Sequence, residues 1–447
     1  MSELFDSVLA AGPVAETTSD PAWLQAMLDV EAALASAQAD VGLIEREHAD
    51  AIGAACVAES YDVAELGRAA TGIGNPAGPL VRALTERVGG AAARHVHSGA
   101  TSQDVLDSAA MLVAKRSIAS LLGDVRAAGD AAAALASDHI ATVQVGRTLS
   151  QHALPVTFGL VAAGWLSALG NAEESLASVR LPVQLGGAAG TLASLGSEGP
   201  AVASAMAARL GLAEPVLPWH TDRTTIARLA GALGETAGAV SGIARTVVLL
   251  AQTDVGEVVE QGPEGSGGSS TMPHKRNPVA AVAALASAKR APGLVADLLA
   301  AMEQEHQRAA GAWHAEWLPL TDLLRGTGSA AHWLRTSLGR LRADPARMRA
   351  NLDSGRGLLL AERVTTELAP SVGRLAAHDA VTACCARAVA DGTPLADVLE
   401  ADPLVGKQLS AGRITELLDP AGYLGSAEEF VRRVLAAHRE KTGEATP

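Results

Sequence analysis

The sequence predicts an all-α protein built around long helices, and three observations carry that reading. First, the chain is 48% hydrophobic yet only 2% aromatic. Its core must therefore come from Ala, Leu and Val at close helix–helix contacts, and alanine is the strongest helix former. Second, residues 105–136, 155–179, 221–259 and 278–302 keep an Ala/Leu/Val texture over the length of a bundle helix. Third, Leu229, Leu233, Thr236, Val240, Ile243, Val247, Leu250 and Asp254 alternate steps of four and three, a coiled-coil-like stripe. Gly234, Gly238 and Gly242 recur every four residues there, which admits a close neighbour. A helix of about thirty residues is roughly 45 Å long.

In chain order, Ser19-Asp20-Pro21 is a helix start, a capping side chain followed by Pro in the first turn. Trp23, Leu24, Met27, Leu28, Glu31 and Leu34 follow at helical spacing. Gly72, Gly74, Pro76, Gly78 and Pro79 mark an irregular segment, and 97–102 a second one. Asn277-Pro278 reads as a cap and first helical residue, and Asp344-Pro345 opens a further helical region. That region ends in the loop 419–425, before a last amphipathic helix. Three helical domains are expected, at roughly 1–107, 108–343 (the central long-helix bundle) and 344–447, in a chain of 447 residues that is long enough for more than one.

The formal net charge of -14 argues against nucleic acid or an anionic membrane as a partner through bulk charge. Cys56, Cys384 and Cys385 form neither a disulfide framework nor zinc spacing. The acidic start of the chain lacks a signal-peptide pattern, and no uncharged apolar run has membrane-spanning length. A soluble cytoplasmic protein is expected.

Three loops carry chemistry. The third, from Gly262 to Pro278, is the most informative: a glycine-rich run leads into Ser269-Ser270-Thr271-Met272-Pro273-His274-Lys275-Arg276-Asn277. A serine near a fixed cation can move protons, and Lys275, Asn277 and free N–H groups suit an oxyanion. A flexible linker explains the glycines but not the block that follows. The first loop, His97-Ser98-Gly99-Ala100-Thr101-Ser102-Gln103-Asp104, places hydroxyls at a helix N-terminus, which suits a carboxylate; a plain capping box is the equal alternative. The second, from Gly146 to Pro155, carries Arg147, Thr148, Ser150, Gln151 and His152 ahead of a helix. By themselves its arginine and histidine read as a surface cation and a core histidine.

In this order and at these distances the three loops resemble the three blocks of the fumarase/aspartase superfamily, the third matching its G-S-S-x-M-P-x-K-x-N signature. The resemblance covers essentially the whole chain. It implies a homotetramer whose central bundles form a twenty-helix core, active sites shared between subunits, and chemistry without metal or organic cofactor. Residue by residue, Ser269 falls on the serine that exchanges a proton beside a carboxylate. Lys275 and Asn277 fall on positions that hold that carboxylate as an aci-anion, with Ser270 beside them. Thr101 and Ser102 fall on carboxylate-binding positions, and His97 on a histidine found in many members. His152 is a further acid/base candidate.

One departure separates branches of the superfamily. Members that expel an amine or hydroxide have a histidine directly after the threonine of the second block; here that position is Leu149, which cannot transfer a proton. A departing carboxylate needs no such acid, because its conjugate acid has a pKa of about 4. The resemblance therefore points to the lactone-forming cycloisomerase branch, although bacterial members of that branch carry Trp at this position. The segments around Asn75, Trp219-His220, Arg308 and Trp313-His314 also match that branch. A small-molecule tricarboxylate is the implied substrate, with Arg308, Arg147, Lys275 and Arg276 as the local positive charge in an acidic protein. An adenylosuccinate lyase, which shares Met-Pro-His-Lys-Arg-Asn, and a catalytically inert member of the superfamily are the alternatives.

Overall fold

The computed structural model describes residues 3–443 apart from 264–266, 269–271 and 273. The all-α expectation holds. Among the described residues, the named strands form only two short antiparallel pairs, Val143–Thr148 with Gln151–Thr157 and Val258–Glu260 with Leu341–Ala343. The chain divides into two compact units, each drawn from three segments.

The first unit comprises Met1–Arg126, Asn171–Gly242 and Val282–Arg335. Ser19 caps its Asp20–Asp40 helix through Oγ, which accepts from Ala22 N at 3.3 Å. That helix buries Leu24, Met27, Leu28 and Leu34. In the Ser102–Asp138 helix every residue from Gln103 to Ala114 is buried, so this segment forms the centre of the unit. Its polar side chains, Gln103, Asp104, Asp107 and Ser108, need partners inside the protein, and those partners organise the site described below.

The Thr224–Ala251 helix follows the sequence stripe closely: Leu229, Leu233, Thr236, Val240, Ile243, Val247 and Leu250 are all buried, while Arg228, Glu235 and Arg245 are exposed. Asp254 departs from it. The helix stops at Ala251, and Asp254 is exposed in the turn that Gly256 makes at φ +64°. A Cβ on Gly234 would meet Val295 at 2.9 Å, as a close helix contact requires, whereas Gly238 and Gly242 face open space. By length and composition this helix and the stretch Val279–Ala300 are apolar enough to cross a membrane, but the first divides into a buried stripe and a charged face. The stretch 278–302 is two helices rather than one, Val279–Ala288 and Ala291–Ala300. The second restarts with Pro292 in its first turn, where a missing N–H costs nothing.

The second unit comprises Ala127–Gly170, Ile243–Ala281 and Thr336–Pro447. Asp344 caps the Pro345–Asp353 helix by accepting from Arg347 N at 2.9 Å. Beyond it, Val364, Leu368, Val381, Cys384, Leu395, Leu399, Ile414 and Leu417 form one apolar core. The cysteines are free thiols.

Candidate active site

The 97–104 loop of the first unit is wired through Asp104. This residue is the third in its helix, and its Oδ2 accepts from Thr101 N at 2.9 Å. That is one half of a capping box. The other half is absent, because the Thr101 hydroxyl faces the Arg308 guanidinium instead. Arg308 also reaches Ser102 Oγ at 3.4 Å. A cation, two hydroxyls and the positive end of a long helix thus converge, the combination that binds a carboxylate.

Asp104 ties further segments to the same point. It accepts from Gly186 N and Gly187 N, both at 2.9 Å, and its Oδ1 lies 2.7 Å from His220 Nε2. Gly99 fits under Leu195 only because it lacks a side chain: a Cβ there would lie 2.5 Å from Leu195. Gln38 Nε2 donates to Ser98 O at 2.6 Å, and His97 Nδ1 meets Glu31 Oε1 at 2.6 Å. One turn further along the helix, Asp107 pairs with the buried Arg223 at 2.9 and 3.0 Å, and Arg223 also pairs with Glu316 at 2.6 Å. Trp313 Nε1 donates to Asp107 at 3.0 Å, Gln304 Nε2 donates to Glu316 at 2.9 Å, and the Trp219 ring lies 4.8 Å from the guanidinium. Burial pushes the Glu316 carboxyl upward, and Arg223 only partly opposes the shift. On Arg223 burial acts the other way, lowering it, but its two carboxylate partners raise it overall and keep it charged. Residues 304–308 therefore start from a fixed ion network and end at the clamp. Asn75 serves locally; its Oδ1 accepts from Gly78 N at 3.2 Å.

The second loop is a correction. Residues 146–155 were expected as a loop ahead of a helix and instead lie in a β-hairpin over 143–157, with Val143 opposite Thr157, Arg147 opposite His152, and a register shift between Val145 and Arg147. Gly146 allows the strands to close there, since a Cβ would lie 2.5 Å from Leu154 O. Leu149 and Ser150 form the two-residue tip at φ +50° and +63°, values that mark a type I′ turn. The sequence lacks the Asn-Gly signature of such a turn, and that concealed it. Arg147 forks onto the buried Glu257 at 2.7 and 3.0 Å, and Gln144 and Asn351 donate to the same carboxylate. Burial works to raise Glu257, but these partners hold it below the ordinary carboxylate range. The Arg147 charge thus anchors the hairpin, His152 is exposed, and Leu149 is 98% exposed at the tip.

The third loop closes at its stem. Asn277 donates from N at 2.8 Å and from Nδ2 at 3.1 Å to Gly267 O, and Gly268 bridges Arg276. Gly267 stands at φ +71°, where a Cβ would lie 2.7 Å from Asn277 O, so only glycine fits. Asn277 was expected to cap the following helix. Its side chain closes the loop instead, and Glu260 accepts from the helix amides of Ala280 and Ala281 at 3.1 and 2.8 Å. Lys275, His274 and Arg276 are exposed. Ser269 and Ser270 lie outside the described residues.

The structure thus brings Thr101, Ser102 and Arg308 together, with His97 on the same loop. Arg147, His152, Lys275 and Asn277 belong to the other unit. A cavity of about 880 Å³ in the first unit, lined by Leu24, Met27, Leu80 and Trp317, includes none of the predicted site residues. Sequence reasoning missed Asp104, Asp107, Arg223, Glu257 and Glu316. Only Asp104, at capping-box spacing from Thr101, left a local signal.

Two family descriptions match the chain: “Lyase” over residues 9–293 and “Adenylosuccinate lyase C-terminus” over residues 357–434. A 3-carboxy-cis,cis-muconate cycloisomerase of Pseudomonas aeruginosa is 45% identical over 100% of this chain and 98% of its own length. A nitrosuccinate lyase of Streptomyces davaonensis is 44% identical over 97% of this chain and 94% of its own. The crystal structure of the 3-carboxy-cis,cis-muconate lactonizing enzyme from Pseudomonas putida superposes with a TM-score of 0.94 at 44% identity, covering 99% of this chain and 100% of that one.

Proposed function

We propose, on the premise that this chain belongs to the lyase family of the fumarase/aspartase superfamily, that it is a 3-carboxy-cis,cis-muconate cycloisomerase. The observation that carries the reading is the Arg308 clamp on Thr101 and Ser102 at the head of a buried helix, in a chain that full-length cycloisomerases match. One terminal carboxylate of the substrate adds to the distal double-bond carbon and closes a γ-lactone ring. The electron pair of the double bond moves toward another carboxylate, which becomes an aci-anion held by Lys275, Asn277 and N–H groups of the glycine-rich loop. Ser269 then delivers a proton to the adjacent carbon, giving 4-carboxymuconolactone. Thr101, Ser102 and Arg308 hold a further carboxylate. His97 and His152 are the candidates to assist the proton transfer, and Ser270 and Asn75 to contact the substrate. Arg147 acts through the hairpin that it anchors on Glu257.

The same reading includes a cytoplasmic homotetramer with three helical domains per chain and shared active sites, and it needs no metal or organic cofactor. Absorbance of the conjugated diene, followed with purified protein, tests it: a rapid fall that vanishes in Ser269→Ala is expected. No fall from a folded tetramer would overturn it.

One observation favours a second reading. Leu149 offers no acid to a leaving group, and nitrite, like a carboxylate, departs as a stable anion without one. Release of nitrite from nitrosuccinate, the substrate in the name of the 44% identical relative, would select that reading over lactonisation.

A further inference from the structure

Glu31 is a carboxylate in an apolar place. It lies within the Asp20–Asp40 helix between buried Leu28 and Leu34, and its side chain has no solvent exposure. An unpaired charge there would be strongly destabilising. Its Oε1 lies 2.6 Å from His97 Nδ1, while Oε2 is buried without a hydrogen-bond partner among the described residues. The helix therefore devotes a buried charge to one imidazole. His97 is held at φ +59°, an uncommon conformation for a residue other than glycine, with its side chain one-fifth exposed (20%). Nδ1 is turned to Glu31, and Nε2 has no hydrogen-bond partner among the described residues. The ring stands four residues before Thr101, on the loop that Arg308 clamps.

We propose that Glu31 is a positioning residue: it holds His97 as an imidazolium whose Nε2–H donates to a substrate carboxylate, giving the site a second cation beside Arg308. The proposal rests on the polycarboxylate reading of this site and adds to it the residue that sets the histidine's charge. The surroundings agree. Burial works to lower His97, but the hydrogen bond and charge of Glu31, joined by the charge of Asp104 from the next helix, raise it overall. Asp104 is itself shared with His220. Cys56, beside Glu31, stays a thiol: burial pushes it up to about 12, with Glu31 and Asp29 adding to the shift. A raised folded value means that the imidazolium is present below the ordinary histidine pKa and is lost as pH rises through the raised one. Carboxylate binding should therefore weaken on the alkaline side.

The test uses the full chain with ¹⁵N-labelled histidine, the His97 signal being assigned by its loss in His97→Asn. In the wild type His97 should titrate above the ordinary value of about 6.5, and in Glu31→Gln its titration should move to lower pH. Citrate, a simple tricarboxylate, serves as the binding probe. Its affinity at pH 8 should fall roughly tenfold in Glu31→Gln, the effect of removing one opposite charge at hydrogen-bond distance, and much less at pH 6. The alkaline limb of kcat/KM should shift with it, and in a His97→Asn background Glu31→Gln should cause no further shift. A wild-type His97 that titrates at or below the ordinary value overturns the proposal without need of any variant. So does a Glu31→Gln protein whose citrate affinity falls equally at every pH, the mark of a merely structural role. The His97 titration is read without substrate, so a protein that meets these expectations but leaves the diene intact would sink the cycloisomerase reading and spare this one.

Discussion

The loops at 97–104 and 267–277 both carry predicted site residues, and their described residues are anchored differently. The first is fixed from every side: Asp104 holds Thr101 N, Gln38 holds Ser98 O, Glu31 holds His97, and Arg308 covers both hydroxyls. The second is pinned at its stem by Asn277 on Gly267, and its cations stand exposed. Binding a polyanion rewards donors that are in place beforehand, because their ordering is then settled on folding rather than at each encounter.

The comparison breaks most visibly at the serine. Ser269→Ala should lower kcat by about 10²–10⁴-fold, the range of a lost acid–base group, with unchanged helix content by circular dichroism. A variant that keeps most of its kcat would take the third loop out of the chemistry. Arg223→Met tests the rigid side. It strands Asp107 and Glu316 in the interior, so thermal unfolding should report a loss of about 3–5 kcal/mol. Adding Asp107→Asn and Glu316→Gln should recover part of it. A stability loss near zero would mean that the ion network does not support the clamp.

Arg308→Lys sharpens the comparison at the substrate itself. Lysine keeps the charge but not the fork, so KM should rise roughly tenfold for a loss of about 1.4 kcal/mol, while kcat holds. An equal fall in kcat would move Arg308 from binding into the chemical step.

The hairpin offers a smaller effect with a definite sign. Glu257 is held below the ordinary carboxylate range. Its contribution is therefore fully present above the unfolded value of about 4.3 and is lost as pH falls through the depressed one. Arg147→Gln should cost about 1–3 kcal/mol at pH 7, the range for leaving a buried hydrogen-bonding group without its partner, and the gap to wild type should close in denaturant titrations as pH drops below 4. A gap independent of pH would show that Arg147 supports the hairpin through packing rather than charge.

How much of this was legible follows the range of the forces involved. The helix caps at Ser19 and Asp344 and the stripe from Leu229 to Leu250 depend on neighbours within a turn or two, so the sequence displays them. The hydroxyls of Thr101 and Ser102 were marked by their position before a helix. Arg223 and Glu257 were not, since each owes its environment to residues on segments about a hundred positions away. No local pattern separates such a residue from a surface charge. Asn277 misled for a related reason. Its side chain had two acceptable uses, capping the helix or closing the loop, and Glu260 took the first.

The smallest expected effect concerns Leu149. A leucine at φ +50°, 98% exposed, gains nothing from burial and bears the strain of a left-handed conformation, about 1–2 kcal/mol. Asparagine tolerates that conformation, so Leu149→Asn should raise stability by up to about 1 kcal/mol if the tip serves only as a turn. Activity decides what else the leucine does. In an assembly where the tip meets another subunit's substrate, its apolar side chain would be covered, and Leu149→Asn would raise KM while stabilising the hairpin. Leu149→His adds the missing acid. Lactonisation, whose nucleophile is already a carboxylate, should gain nothing from it, and a faster reaction in that variant would show that the site does handle a leaving group in need of a proton.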